Sequence, residues 1–479
     1  MKKFILGLIT VLSLLFIGAL ALNNDYASID SLIRPPKIDG VNRDIQTAFE
    51  LAVGDKYVLK SPLSGEYRTS FIRTDIDGDK YDEVVVFYCK TDAVDVIRMN
   101  ILDEYEGVWE SVADLESAYN DVYQISFANV DKDICKELIV CWRNFETDIS
   151  SKLCVYKITD NNDNYIETIF SKNYSEFLIC DVNSDKSTDI VLFEKTNTGS
   201  ITEIKGDYYT FSDGIPAING EFTVDPAIAS IGEVCSDIDP VTKNMRIYID
   251  GYKSDSGIST DAVIWNSEKN YFQKLNLSDS ESLTSLTSRS ININCSDING
   301  DKIVDIPLEE FIPESVVLTA DSTEETVRQS VIKWCEFVDG ELDVLYYEIL
   351  NPKYSYSIKV IPENYGNFTV RNDTVNGTMT FYELLDTQIP DDKPKKDKKP
   401  KNKDEPFDEF APEEPKYSDP VGEALFEFLA AKESDYGAYE FSGYKYISAG
   451  NGFNYYCRIT EAGKINGITK DKIKSSLIN

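Results

Sequence analysis

Four acidic loops recur along this chain at nearly constant spacing, and each runs straight into a short β-branched or aromatic stretch. The first lies in RTDIDGDKYDEVVVFY, with Asp75, Asp77 and Asp79 on alternate positions and Glu83 four residues further on. The same loop positions 1, 3, 5 and 9 hold Asn129, Asp131, Asp133 and Glu137; then Asp181, Asn183, Asp185 and Asp189; then Asp297, Asn299, Asp301 and Asp305. Between the last two lies a decayed copy, DIDPVTKNMRIYI, which keeps Asp237 and Asp239 but has Val241 and Met245 at the next two positions. Successive first positions are 54, 52, 56 and 60 residues apart. One acidic loop is a weak signal, whereas a spaced series defines a repeat.

Carboxylates crowded in this way repel one another unless a cation sits among them. Oxygen ligands at positions 1, 3, 5 and 9, with Gly78 permitting a tight turn, suit Ca²⁺, which takes about six to eight oxygens at roughly 2.3–2.6 Å. An EF-hand is excluded. Its position 12 needs a bidentate Glu where this chain has Val86, and its position 6 needs Gly where this chain has Lys80. The loop is followed by VVVFY, which has the composition of a buried strand and not of a helix.

A repeat of this length with internal turn signals holds four short strands, the content of one propeller blade. In the first copy YRTSFIRT, EVVVFYCK, DVIRMNIL and VWESVA complete a meander, and LIVCWRNF, KLCVYKI and YIETIFS follow the second loop in the same order. The loop pattern Asp-x-(Asp/Asn)-x-Asp-x-x-x-(Asp/Glu) between the first two strands resembles the FG-GAP, or VCBS, blade of integrin-α-type β-propellers. The resemblance covers roughly residues 66 to 350. The opening SLIRPPKIDG…DIQTAFELAVG…LKSPLSGEYRTSF also resembles extracytoplasmic lipoproteins of Gram-positive bacteria, from which the chain departs in having no lipobox cysteine and in its long charged insert. The resemblance implies calcium and a propeller and implies no established activity.

The expected fold class is therefore all-β, a β-propeller of six or seven four-stranded blades with an N-terminal helix and a small C-terminal α+β unit. Residues 1–24 are expected to be a signal peptide or N-terminal membrane anchor, since Phe4 to Leu22 carries no charge over 19 residues and Ala19-Leu20-Ala21 suits a signal peptidase. Cleavage and retention both stay open, and either places the rest of the chain outside the cytoplasmic membrane. Residues 25–65 form a lead-in, with Ile45, Ala48, Phe49, Ala52 and Val53 at helical spacing and Gly54 as C-cap. Residues 66–385 form the propeller, 386–420 a Lys-, Pro- and acid-rich linker, and 421–479 a small unit with Thr469 capping a final helix.

Composition narrows the function. A net charge of −35 excludes the basic footprint that nucleic acid demands. With no histidine in the chain, Ser-His-Asp and Cys-His catalysis and histidine-assisted zinc binding are excluded. Nine cysteines are an odd number, so at least one stays unpaired in a monomer, and those in strand patterns, Cys89, Cys141, Cys154, Cys180, Cys235, Cys295 and Cys457, read as small apolar core residues. The favoured expectation is a monomeric, non-enzymatic, calcium-stabilised binding module for an extracellular protein or glycan. It would touch membrane only through the N-terminal segment. The alternative is a carbohydrate-active or other hydrolase using carboxylates in the propeller funnel. Among the loops, the first, third and fifth copies are expected to bind calcium best, the second more weakly because Lys132 and Lys136 lie beside its ligands and Asn129 replaces an acid, and the decayed fourth not at all.

Overall fold

The computed structural model describes residues 41–478 except 145–150, 162–163, 199–200, 255, 276, 278–281, 321–326, 386–419 and 436–441. The leader and the Lys-rich insert lie outside the described residues. Helix α1 (Val41–Val53) comes first, and Gly54, in the left-handed region at φ +85°, ends it by donating its N–H to the Glu50 carbonyl. Sheet one is built from β1 (Tyr57–Lys60), β2 (Phe71–Thr74), β3 (Glu83–Lys90), β4 (Ala93–Tyr105) and β5 (Val108–Glu116). Its first edge is shared: β2 pairs with the start of β3 and β1 with its end, so part of the expected lead-in belongs to the sheet. The apolar stripe of α1, Ile45, Ala48 and Phe49, packs on Val84, Val86, Tyr88, Leu102 and Trp109 of this sheet.

Three sheets of four antiparallel strands follow, each in sequence order. They are β6 (Asp121–Ala128), β7 (Glu137–Arg143), β8 (Ser151–Asn161) and β9 (Asn164–Tyr174); β10 (Glu176–Cys180), β11 (Asp189–Thr198), β12 (Ile201–Ser212) and β13 (Ile215–Thr223); and β14 (Ile228–Ile238), β15 (Met245–Lys253), β16 (Ile258–Asn266) and β17 (Tyr271–Lys274). The strand after each acidic loop starts at loop position 9. The runs Glu83–Cys89, Glu137–Trp142 and Met245–Gly251 are buried on both faces, which is why Val84–Cys89 and Leu138–Trp142 read as unbroken apolar stretches instead of alternating ones, while Met245–Gly251 also buries Arg246 and Asp250.

After the short helix α2 (Leu283–Leu286), sheet five takes β18 (Asp305–Phe311) and passes over β19 (Val316–Leu318) to β20 (Ser330–Val338), β21 (Glu341–Asn351) and β22 (Tyr356–Val360). The strand expected before its acidic loop is reduced to a single bridge between Ser296 and Asp305. Sheet six takes β19, β23 (Phe368–Asp373), β24 (Thr378–Leu384), β25 (Val421–Lys432), β26 (Lys445–Gly450) and β27 (Phe453–Ile459), with β19 parallel to β23 and the other pairs antiparallel. Helices α3 (Glu461–Ile465) and α4 (Lys470–Ser476) follow. Thr469 caps α4 through its side chain, and β28 (Leu477–Ile478) leaves it to pair with β22 of sheet five. The described residues are thus β-rich, with several four-stranded antiparallel sheets. No helix among them is long and apolar enough to cross a membrane.

The chain divides into two compact units. One takes the described parts of Met1–Phe127, Leu138–Thr147 and Tyr156–Glu167, and the other takes the described parts of Ala128–Glu137, Asp148–Val155 and Thr168–Asn479. Within the second unit, sheets three to six stack in order. Ile247, Ile249, Val263 and Trp265 of sheet four meet Val191, Phe193 and Tyr208 of sheet three, while Tyr248, Ala262 and Ile264 on its other face meet Ile306, Leu308 and Cys335 of sheet five. Sheet five in turn packs Ile349 and Ile358 on Val370, Met379 and Phe428 of sheet six. Of the cysteines, Cys89, Cys141, Cys154, Cys295, Cys335 and Cys457 are buried.

Residues 421–478, expected as a separate unit, share a sheet with strands that precede the insert. β25 is an interior strand of sheet six, with Phe428 against Met379 in register and the Leu385 N–H bonded to the Pro420 carbonyl at 2.8 Å. The insert is therefore the connection of a hairpin. Cutting the full chain at a protease site placed between residues 400 and 401 should leave two fragments that co-elute under native conditions and separate in denaturant. Native separation would mean that β25 is not held by β24.

Candidate metal centre

The four intact loops share one hydrogen-bond skeleton, which follows from where their apolar and acidic residues fall. Position 2 is apolar in each, and Ile76, Val130 and Val182 are buried. A buried backbone N–H needs a partner, and the position 9 carboxylate supplies it: Ile76 N–H to Glu83 Oε2 at 2.6 Å, and Val130 to Glu137, Val182 to Asp189 and Ile298 to Asp305 at 2.9 Å each. Position 3 accepts from the N–H of position 5, and position 5 from that of position 7, throughout: Asp79 to Asp77 and Tyr81 to Asp79 in loop one, Asp133 to Asp131 and Cys135 to Asp133 in loop two, Asp185 to Asn183 and Ser187 to Asp185 in loop three, Asp301 to Asn299 and Ile303 to Asp301 in loop five. Position 1 accepts at the turn itself, Gly78 N–H to Asp75 at 2.8 Å and Gly300 N–H to Asp297 at 2.6 Å. These turns draw position 4 into the left-handed region, at Gly78, Lys132, Ser184 and Gly300, and position 6 as well in three loops, at Lys80, Lys186 and Lys302. Loop two has the β-branched Ile134 at position 6 and is not left-handed there.

This framework converges the carboxylates where loops one and two need them. Oxygens of Asp75, Asp77 and Glu83 lie within 4.8 Å of one another, as do those of Asp131, Asp133 and Glu137. Two ligands about 2.4 Å from one ion stand at most about 4.8 Å apart, so both groups fit a Ca²⁺-sized shell. The strongest sign of a missing partner is at position 9. Glu83 and Asp305 are fully buried, yet Glu83 Oε1 and Asp305 Oδ1 have no hydrogen bond. Burial pushes Glu83 up to about 7, assisted by Asp77 and Asp103, and Asp305 up to about 6, assisted by Glu336. Asp189 is likewise raised by burial to about 7, although its Oδ2 accepts the Tyr208 hydroxyl at 3.0 Å.

Loops two and three meet through the Ser187 hydroxyl, which donates to the Val130 carbonyl at 2.6 Å, through the Thr188 N–H on the Asn129 carbonyl at 2.8 Å, and through a lysine. Lys132, expected to weaken its own loop, directs its ammonium to Asp185 of loop three at 2.9 Å. Burial raises the Asp185 carboxyl, but Lys132, the Ser187 N–H and Asn183 together outweigh it and hold the group below the usual range.

The decayed loop carries its own cation. Arg246, directly after position 9, is buried and grips Asp237 through two bonds of 2.6 Å, with Asp239 3.8 Å from its guanidinium and the Phe337 carbonyl at 2.9 Å. Asp237 also accepts the Val304 N–H at 2.8 Å, and the position 3 to position 5 turn survives in the Val241 N–H bond to Asp239. A guanidinium thus replaces what the acids of this loop would otherwise hold. The lost ligands are visible in the sequence, whereas the role of the arginine one residue beyond them depends on the fold.

No protein family matches the chain, and no curated protein does. Among solved structures, a rhamnogalacturonan lyase of Bacillus licheniformis is similar at 10% identity and a TM-score of 0.25, over 60% of this chain and 71% of the lyase. A hypothetical protein of Leishmania major is similar at 11% identity and a TM-score of 0.24, over 55% of this chain and 89% of its own. Likenesses this slight carry no argument about the fold or the activity.

Replacing Arg246 by Met should cost about 3–5 kcal/mol in urea unfolding, because Asp237 stays buried without its partner. The double variant with Asp237→Asn should recover part of the loss, whereas a loss below about 1 kcal/mol would show the pair to be dispensable. In chelator the full chain should melt higher as pH falls from about 7 to 5. The ordinary values are 4.5 for Glu83 and 3.8 for Asp189 and Asp305, so with folded values of about 7, 7 and 6 the folded state binds more protons than the unfolded state across that window. Carboxylates held low, such as Asp185 and Asp297, withdraw stability only below their ordinary 3.8. Excess calcium should flatten the rise, since the metal requires the ionised form.

Proposed function

We propose that this chain is a calcium-stabilised β-propeller of the FG-GAP or VCBS type, acting as a non-enzymatic binding module outside the cytoplasmic membrane. The observation that carries the proposal is the pairing of a fully buried, partly unbonded position 9 carboxylate with a repeated loop skeleton, alongside one loop in which Arg246 supplies the positive charge directly. The loops would act as staples. Each ties the start of a buried strand to the turn before it, and the ion neutralises charge that the skeleton concentrates. Asp75, Asp77, Asp79 and Glu83 would hold the ion in loop one; Asn129, Asp131, Asp133 and Glu137 in loop two; Asp181, Asn183, Asp185 and Asp189 in loop three; Asp297, Asn299, Asp301 and Asp305 in loop five. The convergence of loop two and the lysine on Asp185 favour loop two over loop three, which reverses the order expected from local charge alone.

Extracellular calcium modules have Kd values of about 10⁻⁴–10⁻³ M, so at about 1 mM calcium each good site would add roughly 0.4–1.4 kcal/mol. The test is a melt of the full chain in excess calcium and in chelator, because residues 421–478 belong to the sheets. Asp79→Ala should shrink the calcium-dependent increment and Asp239→Ala should leave it unchanged. No calcium effect in the unaltered protein, or equal loss in both variants, would overturn the proposal.

A further inference from the structure

We infer that Asp103 and Glu336, which lie outside the loop pattern, are auxiliary cation-holding residues of loops one and five, acting on a divalent ion through its water shell. The inference rests on the calcium reading of the loops and adds to it two residues from the strand facing position 9. In sheet five, Asp305 stands directly opposite Glu336, and Glu336 opposite Asp343. In sheet one, the ladder runs Val86 to Asn100, Val85 to Ile101 and Val84 to Leu102, so its next step sets Glu83 opposite Asp103, which in turn faces Glu110. Directly opposed residues share a face of the sheet, and like charges there are destabilising. Both sheets therefore carry a row of three acids across three strands, beginning at a buried carboxylate with an unbonded oxygen.

The two rows occupy equivalent places. In each sheet the acid on the middle strand follows a β-bulge by the same step, at Ile101/Leu102 and at Trp334/Cys335. Sheet three has the same bulge, at Tyr208/Tyr209, and there the facing residue is Thr210, opposite Ala217. In sheet four, where Arg246 fills the loop, the ladder leads from Met245 to Trp265, which faces Phe272. The acidic row is thus not a requirement of the strand geometry. Among sheets one, three, four and five, it occurs in the two whose position 9 carboxylate keeps an unbonded oxygen.

Local contacts agree. Asn299 of loop five donates to Asp301 at 2.9 Å and to Glu336 at 3.2 Å, which brings Glu336 to the rim of the loop. Asp103 lies beside Glu83 and Asp77, and all three border the partly buried Tyr165 hydroxyl. Arg73, the nearest arginine in sequence to loop one, pairs with Asp82 instead. Glu336 has Arg246 near it, so its charge is partly offset and loop one should respond more strongly.

The experiment is calorimetric titration of the full chain with calcium, and melts with and without chelator, for Asp103→Asn, Glu336→Gln, Asp79→Ala and the double variant Asp79→Ala/Asp103→Asn. Losing an outer-sphere partner should weaken one calcium site on the order of tenfold. In chelator Asp103→Asn should melt at or above the unaltered protein, because one of several crowded like charges is gone; a merely structural residue would lower that melt. Once Asp79 is removed, Asp103→Asn should have no further effect on calcium, whereas Glu336→Gln should act independently of both. Unchanged titration in Asp103→Asn, while Asp79→Ala loses a site, would overturn this inference and leave the calcium reading standing. No binding by the unaltered protein would overturn both.

Discussion

The rest of the structure depends on how a carboxylate can be buried at the start of a strand. Glu83, Glu137, Asp189 and Asp305 each open the strand that follows an acidic loop, and each takes a hydrogen bond from the N–H of an apolar residue seven positions earlier. That single bond closes the loop, sets where the strand begins and commits a charge to the interior. An ionised group in such a place demands compensation. The chain meets this demand in different ways: the Tyr208 hydroxyl at Asp189, a buried arginine in loop four, and, in the reading argued above, an ion in the loops whose oxygens are left unbonded.

Arg246 is the most informative residue in this respect. It lies in the repeat whose acidic pattern is most degraded, and it is bonded to both oxygens of the one acid that remains at position 1. The loop backbone kept its turn when the ligands were lost, because the turn is held by side-chain oxygens and main-chain N–H groups whether or not a metal is present. A fixed guanidinium makes that repeat independent of solution cations. In loop three the ammonium of Lys132 takes part of that role at Asp185.

Packing explains why the repeats hold together despite their sequence differences. Each central strand is apolar on both sides, so the sheets must be covered twice, and sheet four shows this directly with Ile247 and Ile249 on one face and Tyr248 on the other. Aromatic residues seal these layers edge to face, as Trp265 and Phe272 of sheet four do with Tyr208 of sheet three. The terminal segment obeys the same rule. β25 enters sheet six as an interior strand and β28 adds an edge to sheet five, so residues on both sides of the insert form one layer.

Much of this was legible in the residues alone. The period of the acidic loops, the strand that follows each, the helix carrying Ile45 and Phe49, and the cap at Thr469 are local patterns, because turns, strands and caps are decided by residues within a few positions of one another. Positions 1, 3, 5 and 9 were visible for that reason. What lies across a ladder or comes from another repeat was not. The placement of Lys132 on Asp185, of Arg246 on Asp237, and of Asp103 and Glu336 opposite the buried acids depends on register and on which sheets adjoin. The same holds for residues 421–478, where a long charged insert looks like a boundary in sequence. Hydrogen bonding between β24 and β25 makes it a hairpin connection, since strand pairing depends on free edges in space and not on distance along the chain.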